Sequence, residues 1–237
     1  MTKLFFHSNR KKVQQYFERE QFIIPISTDK LIITEPKNTQ PHQLQKLVIS
    51  DVPSDYPYIS WQIDLEKEHY AFSPPESKKR CDTALLTMIN GRLYVFMIEM
   101  KTTITNNDSG SSLKAIEQKF VDTMERISIL LTVNKHENIT NHKDELIYQN
   151  TQIIYKGIVC YNKDTVSVVV DELKKTPIYK ILKESHTPAR IYPGSLLMGT
   201  ASRIDIRFLK NPKVDAEMSI KFSQMFEKQI KFLGPAC

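Results

Sequence analysis

Apolar and polar positions alternate with two distinct periods along this chain, and the switches between them outline the elements. Residues 82–89 and 92–100 ("DTALLTMI", "RLYVFMIEM") are β-prone and apolar, and Asn90-Gly91 joins them. Asn-Gly between two such runs predicts an antiparallel hairpin. Upstream, Ile59, Trp61, Ile63 and Leu65 in "YISWQIDL" alternate with Ser60, Gln62 and Asp64, a half-buried strand. Downstream, Leu113, Ile116, Phe120, Met124, Ile127 and Leu131 recur at helical spacing, and Ser111 or Ser112 can cap the helix they predict. Lys114, Gln118, Asp122 and Glu125 are placed on its polar face.

The remaining segments read less regularly. "NRKKVQQYFEREQF" predicts a first helix, capped by Ser8, followed by "FIIPIST" and "KLIIT" as short extended segments. Residues 34–57, rich in Pro, Asn, Gln and Asp, read as loop around a short apolar insert, "LQKLVI". "FSPPESKKR" and "TTITNNDSGSS" read as loops. "TQIIYKGIVCYN" is a buried strand and "TVSVVV" a further one. "DELKKTPIYKILKES" is a helix interrupted at Pro177, and "SRIDIRFL" an edge or half-buried strand. "VDAEMSIKFSQMFEKQIKFL" is read as a C-terminal amphipathic helix, with Met218, Phe222, Met225, Phe226 and Ile230 inward. The order predicts a mixed α/β (α+β) fold: a central mixed β-sheet flanked by helices in one domain over 1–237. The core spans about 58–162, preceded by the N-terminal helix and extended segments (1–57). A C-terminal elaboration, 163–237, ends in the amphipathic helix.

Composition narrows the chemistry. The 237 residues carry a formal charge of +6, a mild basic excess compatible with a polyanionic partner. Cys81, Cys160 and Cys237 form no CxxC pair, which argues against a zinc knuckle or a disulfide framework and fits a reducing cytosol. The apolar patch in "MTKLFFHSNRKK" is too short for a signal peptide and no run is long enough to span a membrane, so a soluble cytoplasmic protein is expected. Glycine-rich phosphate loops and the GxSxG elbow are absent. His136 and His142 lie in a polar stretch that reads as a solvated loop.

Against this background three charged residues stand out. Asp82 opens the first strand of the hairpin; Glu99 and Lys101 close the second. Antiparallel pairing brings these ends together, and the two-residue spacing puts Glu99 and Lys101 on one face. Adjacent carboxylates repel unless a cation lies between them. Oxygen donors with an incomplete protein shell suit Mg²⁺ or Mn²⁺, with the Met100 carbonyl as a further candidate ligand. Such an ion activates water and offsets charge in phosphodiester hydrolysis, and Lys101 can orient the nucleophile or stabilise developing charge. A plain salt bridge at the surface is the alternative.

Asp82 followed by Glu99-Met100-Lys101 on the next strand of a hairpin resembles the PD-(D/E)xK nuclease superfamily, with its restriction-endonuclease-like fold. The resemblance covers about residues 80–162. It implies that Asp82 and Glu99 ligate the metal, that Lys101 serves in catalysis, and that Gln118 on the following helix lines the site. Glu18 or Glu20 on the first helix would then be a further acid. Cys81 stands where the family pattern has Pro. Lys78, Lys79 and Arg80, just before Asp82, are candidate phosphate contacts. The resemblance implies a divalent-metal-dependent endonuclease acting on DNA, possessed of a prokaryotic restriction or antiviral-defence role and acting as a homodimer. The competing expectations are a nuclease for RNA or for branched or single-stranded DNA, and a non-catalytic nucleic-acid-binding module that kept the fold.

Overall fold

An Asn-Gly turn requires a left-handed backbone, and Asn90 adopts it with φ of 50°. The structure, a computed structural model, describes residues 23–35, 43–54, 59–63, 80–90, 92–105, 110–133, 139–140, 146–148, 152–166, 178, 182, 190–191 and 204–226. In chain order its elements are β1 (Ile23–Pro25), β2 (Lys30–Thr34), β3 (Lys46–Ser50), β4 (Ile59–Ile63), β5 (Thr83–Ile89) and β6 (Arg92–Ile104). Helix α1 (Leu113–Val133) follows, then β7 (Ile139–Thr140), β8 (Leu146–Tyr148), β9 (Gln152–Asp164), β10 (Arg190–Ile191), β11 (Ile204–Lys210) and β12 (Glu217–Lys221). The hairpin is β5–β6, with Ile89 opposite Arg92 across the turn. Asn tolerates the left-handed region better than other residues with a Cβ. Asn90→Ala is therefore expected to cost about 1 kcal/mol, read as a lower urea midpoint at unchanged slope.

Seven strands form the main sheet in the order β1-β4-β5-β6-β9-β11-β10. β4, β5 and β6 are an antiparallel meander; α1 then carries the chain over to β9, which pairs parallel with β6, and β11 is parallel to β9. A second sheet, β12-β3-β2, packs on the opposite face. The fold is thus mixed α+β, in three layers around the hairpin.

Both faces of β5 and β6 are covered, which is why these strands read as continuous apolar runs. Leu93, Val95 and Met97 pack with α1 through Ile116, Phe120 and Met124. Phe96, Ile98 and Met100 pack with Leu47, Ile49, Met218 and Ile220 of the second sheet. Strand alternation then fixes the charged groups. Glu99 and Lys101 continue the odd series towards α1, and Asp82 precedes Ala84, Leu86 and Met88, which face α1 too.

Several expectations need correction. The apolar insert at 44–49 is not part of a loop; it supplies β3, the middle strand of the second sheet, with Leu47 and Ile49 fully buried. The stretch expected as a C-terminal helix is β12 followed by a 3-10 turn, Phe222–Met225. Met218, Ile220 and Phe222 alternate with period two, and parallel pairing with β3 selects that reading over the helical one. Residues after 226 lie outside the described residues. β6 runs on to Ile104 through part of the expected "TTITNNDSGSS" loop. β11 lies between β9 and β10 and so is not an edge, while the half-buried part of that expectation holds for its second half. On α1, Asp122 is buried rather than on an open polar face. The first helix lies outside the described residues, as do most of "TVSVVV" and of the helix expected over 171–185.

Candidate functional site

The open end of the hairpin is closed by a side chain. Asp82 donates its N–H to the Ile98 carbonyl at 3.0 Å, and its carboxylate Oδ2 accepts the Met100 N–H at 2.6 Å. A strand residue presents its N–H and C=O to the same neighbour, so the Met100 carbonyl lies on Asp82's side of β6. One residue earlier, the Cys81 N–H donates to Thr123 Oγ1 of α1 at 2.9 Å, tying the start of β5 to the helix.

Helix α1 crosses the sheet where β9 has a glycine. A Cβ on Gly157 would stand 3.0 Å from the Phe120 ring, so the ring rests on bare backbone. That seating brings the residue before it, Lys119, over the next charged position of β6. Lys119 Nζ donates to Glu99 Oε1 at 2.5 Å, and the Lys101 ammonium pairs with the same oxygen. Glu99 is 0 % exposed, against 13 % and 17 % for the two lysine side chains. Its other oxygen, Oε2, is buried and has no hydrogen-bond partner among the described residues. In place of the alternative, a plain salt bridge at the surface, the structure has two ammoniums gathered on the buried Glu99 with the half-buried Asp82 beside it.

Burial, and then the Glu99 charge, push the Asp82 carboxyl up to about 7, with Lys101, Lys119 and the Met100 N–H pulling the other way. Burial works against the Lys119 ammonium, but Glu99 and Asp82 outweigh it and its pKa is raised. The Cys81 thiol is held well above its usual value by burial and by Glu99, so it stands beside the site as a neutral thiol.

The structure thus brings together Asp82, Glu99, Met100 and Lys101 and adds Lys119. It does not bring in Gln118, which is exposed and donates to Asp122 Oδ1 at 2.8 Å along α1. A 100° step separates consecutive helix residues, enough to turn Gln118 away while Lys119 borders the stripe of Ile116 and Phe120. That position, a lysine flanking the apolar face, was the available signal for Lys119. Arg80 is half-buried just before Asp82; Glu18, Glu20, Lys78 and Lys79 lie outside the described residues.

A divalent cation fits what these residues offer. Among the described residues no group of three or more His, Cys, Asp or Glu side chains is placed to hold a metal. Mg²⁺, however, is commonly held by one or two carboxylates with waters and substrate oxygens. Asp82 and Glu99 supply the two carboxylates. The orphaned Oε2 and the raised Asp82 pKa are both features that a bound cation would relieve. No helix among the described residues is long and apolar enough to cross a membrane. Compared with known proteins, the chain matches no family model, no curated protein and no solved structure.

Proposed function

We propose that the chain is a divalent-metal-dependent nuclease of the PD-(D/E)xK type, hydrolysing phosphodiester bonds of DNA as an endonuclease in a prokaryotic restriction or defence setting. One observation carries the reading. Asp82, Glu99 and Lys101 converge on one face at the open end of the β5–β6 hairpin, with a buried carboxylate oxygen left unpartnered there. The order of hairpin, long helix and strand parallel to β6 supports it further, since that order is what the resemblance implies.

Asp82 and Glu99 would hold Mg²⁺ or Mn²⁺, with the Met100 carbonyl as a third donor. The ion would supply Lewis-acid chemistry, activating water and offsetting charge on the reacting phosphoryl group. The chain's own groups do the rest. The Met100 N–H fixes the Asp82 carboxylate, so its orientation is set before substrate arrives. Two covered faces of β6 hold Glu99 away from bulk water, where its charge acts at low dielectric. Lys101, partly open to solvent and paired with Glu99, would set its ammonium against the negative charge that develops in the reaction.

The test is incubation with plasmid, linear and single-stranded DNA and with RNA, each with Mg²⁺, Mn²⁺ or EDTA. Cutting that needs the metal is expected, and Lys101→Ala is expected to slow it by about 10²-fold. The preferred polymer decides between DNA and RNA. A second reading has one observation in its favour: the two ammoniums already neutralise Glu99, as in a structural cluster. Binding of nucleic acid without cutting, and with no metal-induced rise in Tm, would replace the nuclease by a non-catalytic binding module.

A further inference from the structure

Lys119 has no counterpart in the acid–acid–lysine trio. Its ammonium sits at 2.5 Å on the same Glu99 oxygen that Lys101 already serves. Both ammoniums crowd one oxygen of Glu99 although the second carboxyl of the cluster, Asp82, stands nearby, and like charges held this close repel. Lys119 also arrives from a different element, α1, held by the seating of Phe120 on Gly157. Its side chain keeps 17 % exposure, against none for Glu99.

We propose that Lys119 is a substrate-binding residue of this site, parked on Glu99 when no divalent cation is present and turned to a phosphate oxygen of the substrate when Glu99 serves a cation. This rests on the nuclease reading. Charge supports the exchange: the cluster is two carboxyls and two ammoniums, so a divalent cation leaves a net positive site, matched to a phosphodiester anion. The substrate class that follows is a polyanionic phosphodiester backbone, contacted through charge and not through base edges.

Two affinities should move in opposite directions in Lys119→Gln, rising for the cation and falling for the nucleic acid. The variant removes a competing cation from Glu99, so the Mn²⁺ concentration giving half of the thermal shift is expected to fall about tenfold, in the absence of nucleic acid. It also removes a phosphate contact, so affinity for a DNA duplex, measured by anisotropy in Ca²⁺, is expected to fall. The slope of log affinity against log salt should shrink by about 0.9. Lys119→Arg, which keeps the charge should the Gln variant fold poorly, is expected to retain the wild-type salt slope. An unchanged Mn²⁺ midpoint and slope in Lys119→Gln, or a reduced slope in Lys119→Arg, would overturn the proposal and leave Lys119 a structural ion-pair partner. Wild-type protein with no Mn²⁺-induced shift at all would overturn the nuclease reading itself.

Discussion

Asp82→Asn is expected to stabilise the cation-free protein at pH 8 while removing at least 10³-fold of any metal-dependent cutting. The stability half follows from linkage. An unfolded Asp ionises near its model value of 3.8, whereas Asp82 in the folded protein is pushed up to about 7 by burial and by Glu99. The folded state therefore holds the proton more tightly. No penalty exists below about pH 4; it grows as pH rises through 4 to 7, and it is complete above 7. The full shift corresponds to about 4 kcal/mol. Because Asp82 is only half-buried, solvent screening reduces this to about 1–3 kcal/mol. An amide oxygen still accepts the Met100 N–H, so Asn keeps the hydrogen bond and loses the charge. Wild type should lose stability from pH 5 to pH 8, and Asp82→Asn should not; urea midpoints across that range check it. The same proton competes with a divalent cation, so the Mn²⁺-induced thermal shift of wild type should grow over the same window. A variant less stable than wild type at pH 8 would show that Asp82 is a structural anchor and not a strained functional group. Stability gained where activity is lost is the signature of a site held at a cost.

How much of this was legible in the sequence depends on the range of the interactions. The hairpin was, because the Asn90-Gly91 turn and its flanking runs are contiguous. So was the α1 stripe, because a long helix repeats its pattern over several turns. From these two, the meeting of Asp82, Glu99 and Lys101 followed by strand geometry alone. The second sheet was not legible, because β3 is five residues of alternation within a polar stretch, and its partner β12 comes from the far end of the chain. For β12, Met218, Phe222, Met225 and Phe226 fit a helical face as well as Met218, Ile220 and Phe222 fit a strand. Only the pairing with Lys46–Ser50 breaks the tie. Lys119 was passed over for a physical reason as well. A lysine bordering an apolar stripe ordinarily lays its stem on the core and its charge in water. Here the sheet beneath presents Glu99, which the helix pattern does not reveal.

The packing that holds Lys119 in place can be tested apart from any chemistry. Phe120 is fully buried between α1 and the sheet, so Phe120→Ala is expected to cost about 3–5 kcal/mol. For a chain of this size that is a fall of about 10 °C in Tm. Cavity loss alone would not show that the ring's contact with Gly157 matters. Gly157→Ala tests that from the other side: its Cβ would stand 3.0 Å from Phe120 Cε2 and 3.1 Å from Ile206 Cγ1. Overpacking of this kind costs about 1–3 kcal/mol. In a Phe120→Leu background the ring atoms are gone while Ile206 remains, so the glycine substitution should cost less, though not nothing. A coupling of about 1 kcal/mol between the two positions is therefore expected from a double-mutant cycle in urea. Strictly additive costs would mean that α1 shifts freely to admit the methyl group. A helix that shifts freely would not hold the Lys119 ammonium at one oxygen of Glu99, so additivity here would count against a preorganised site.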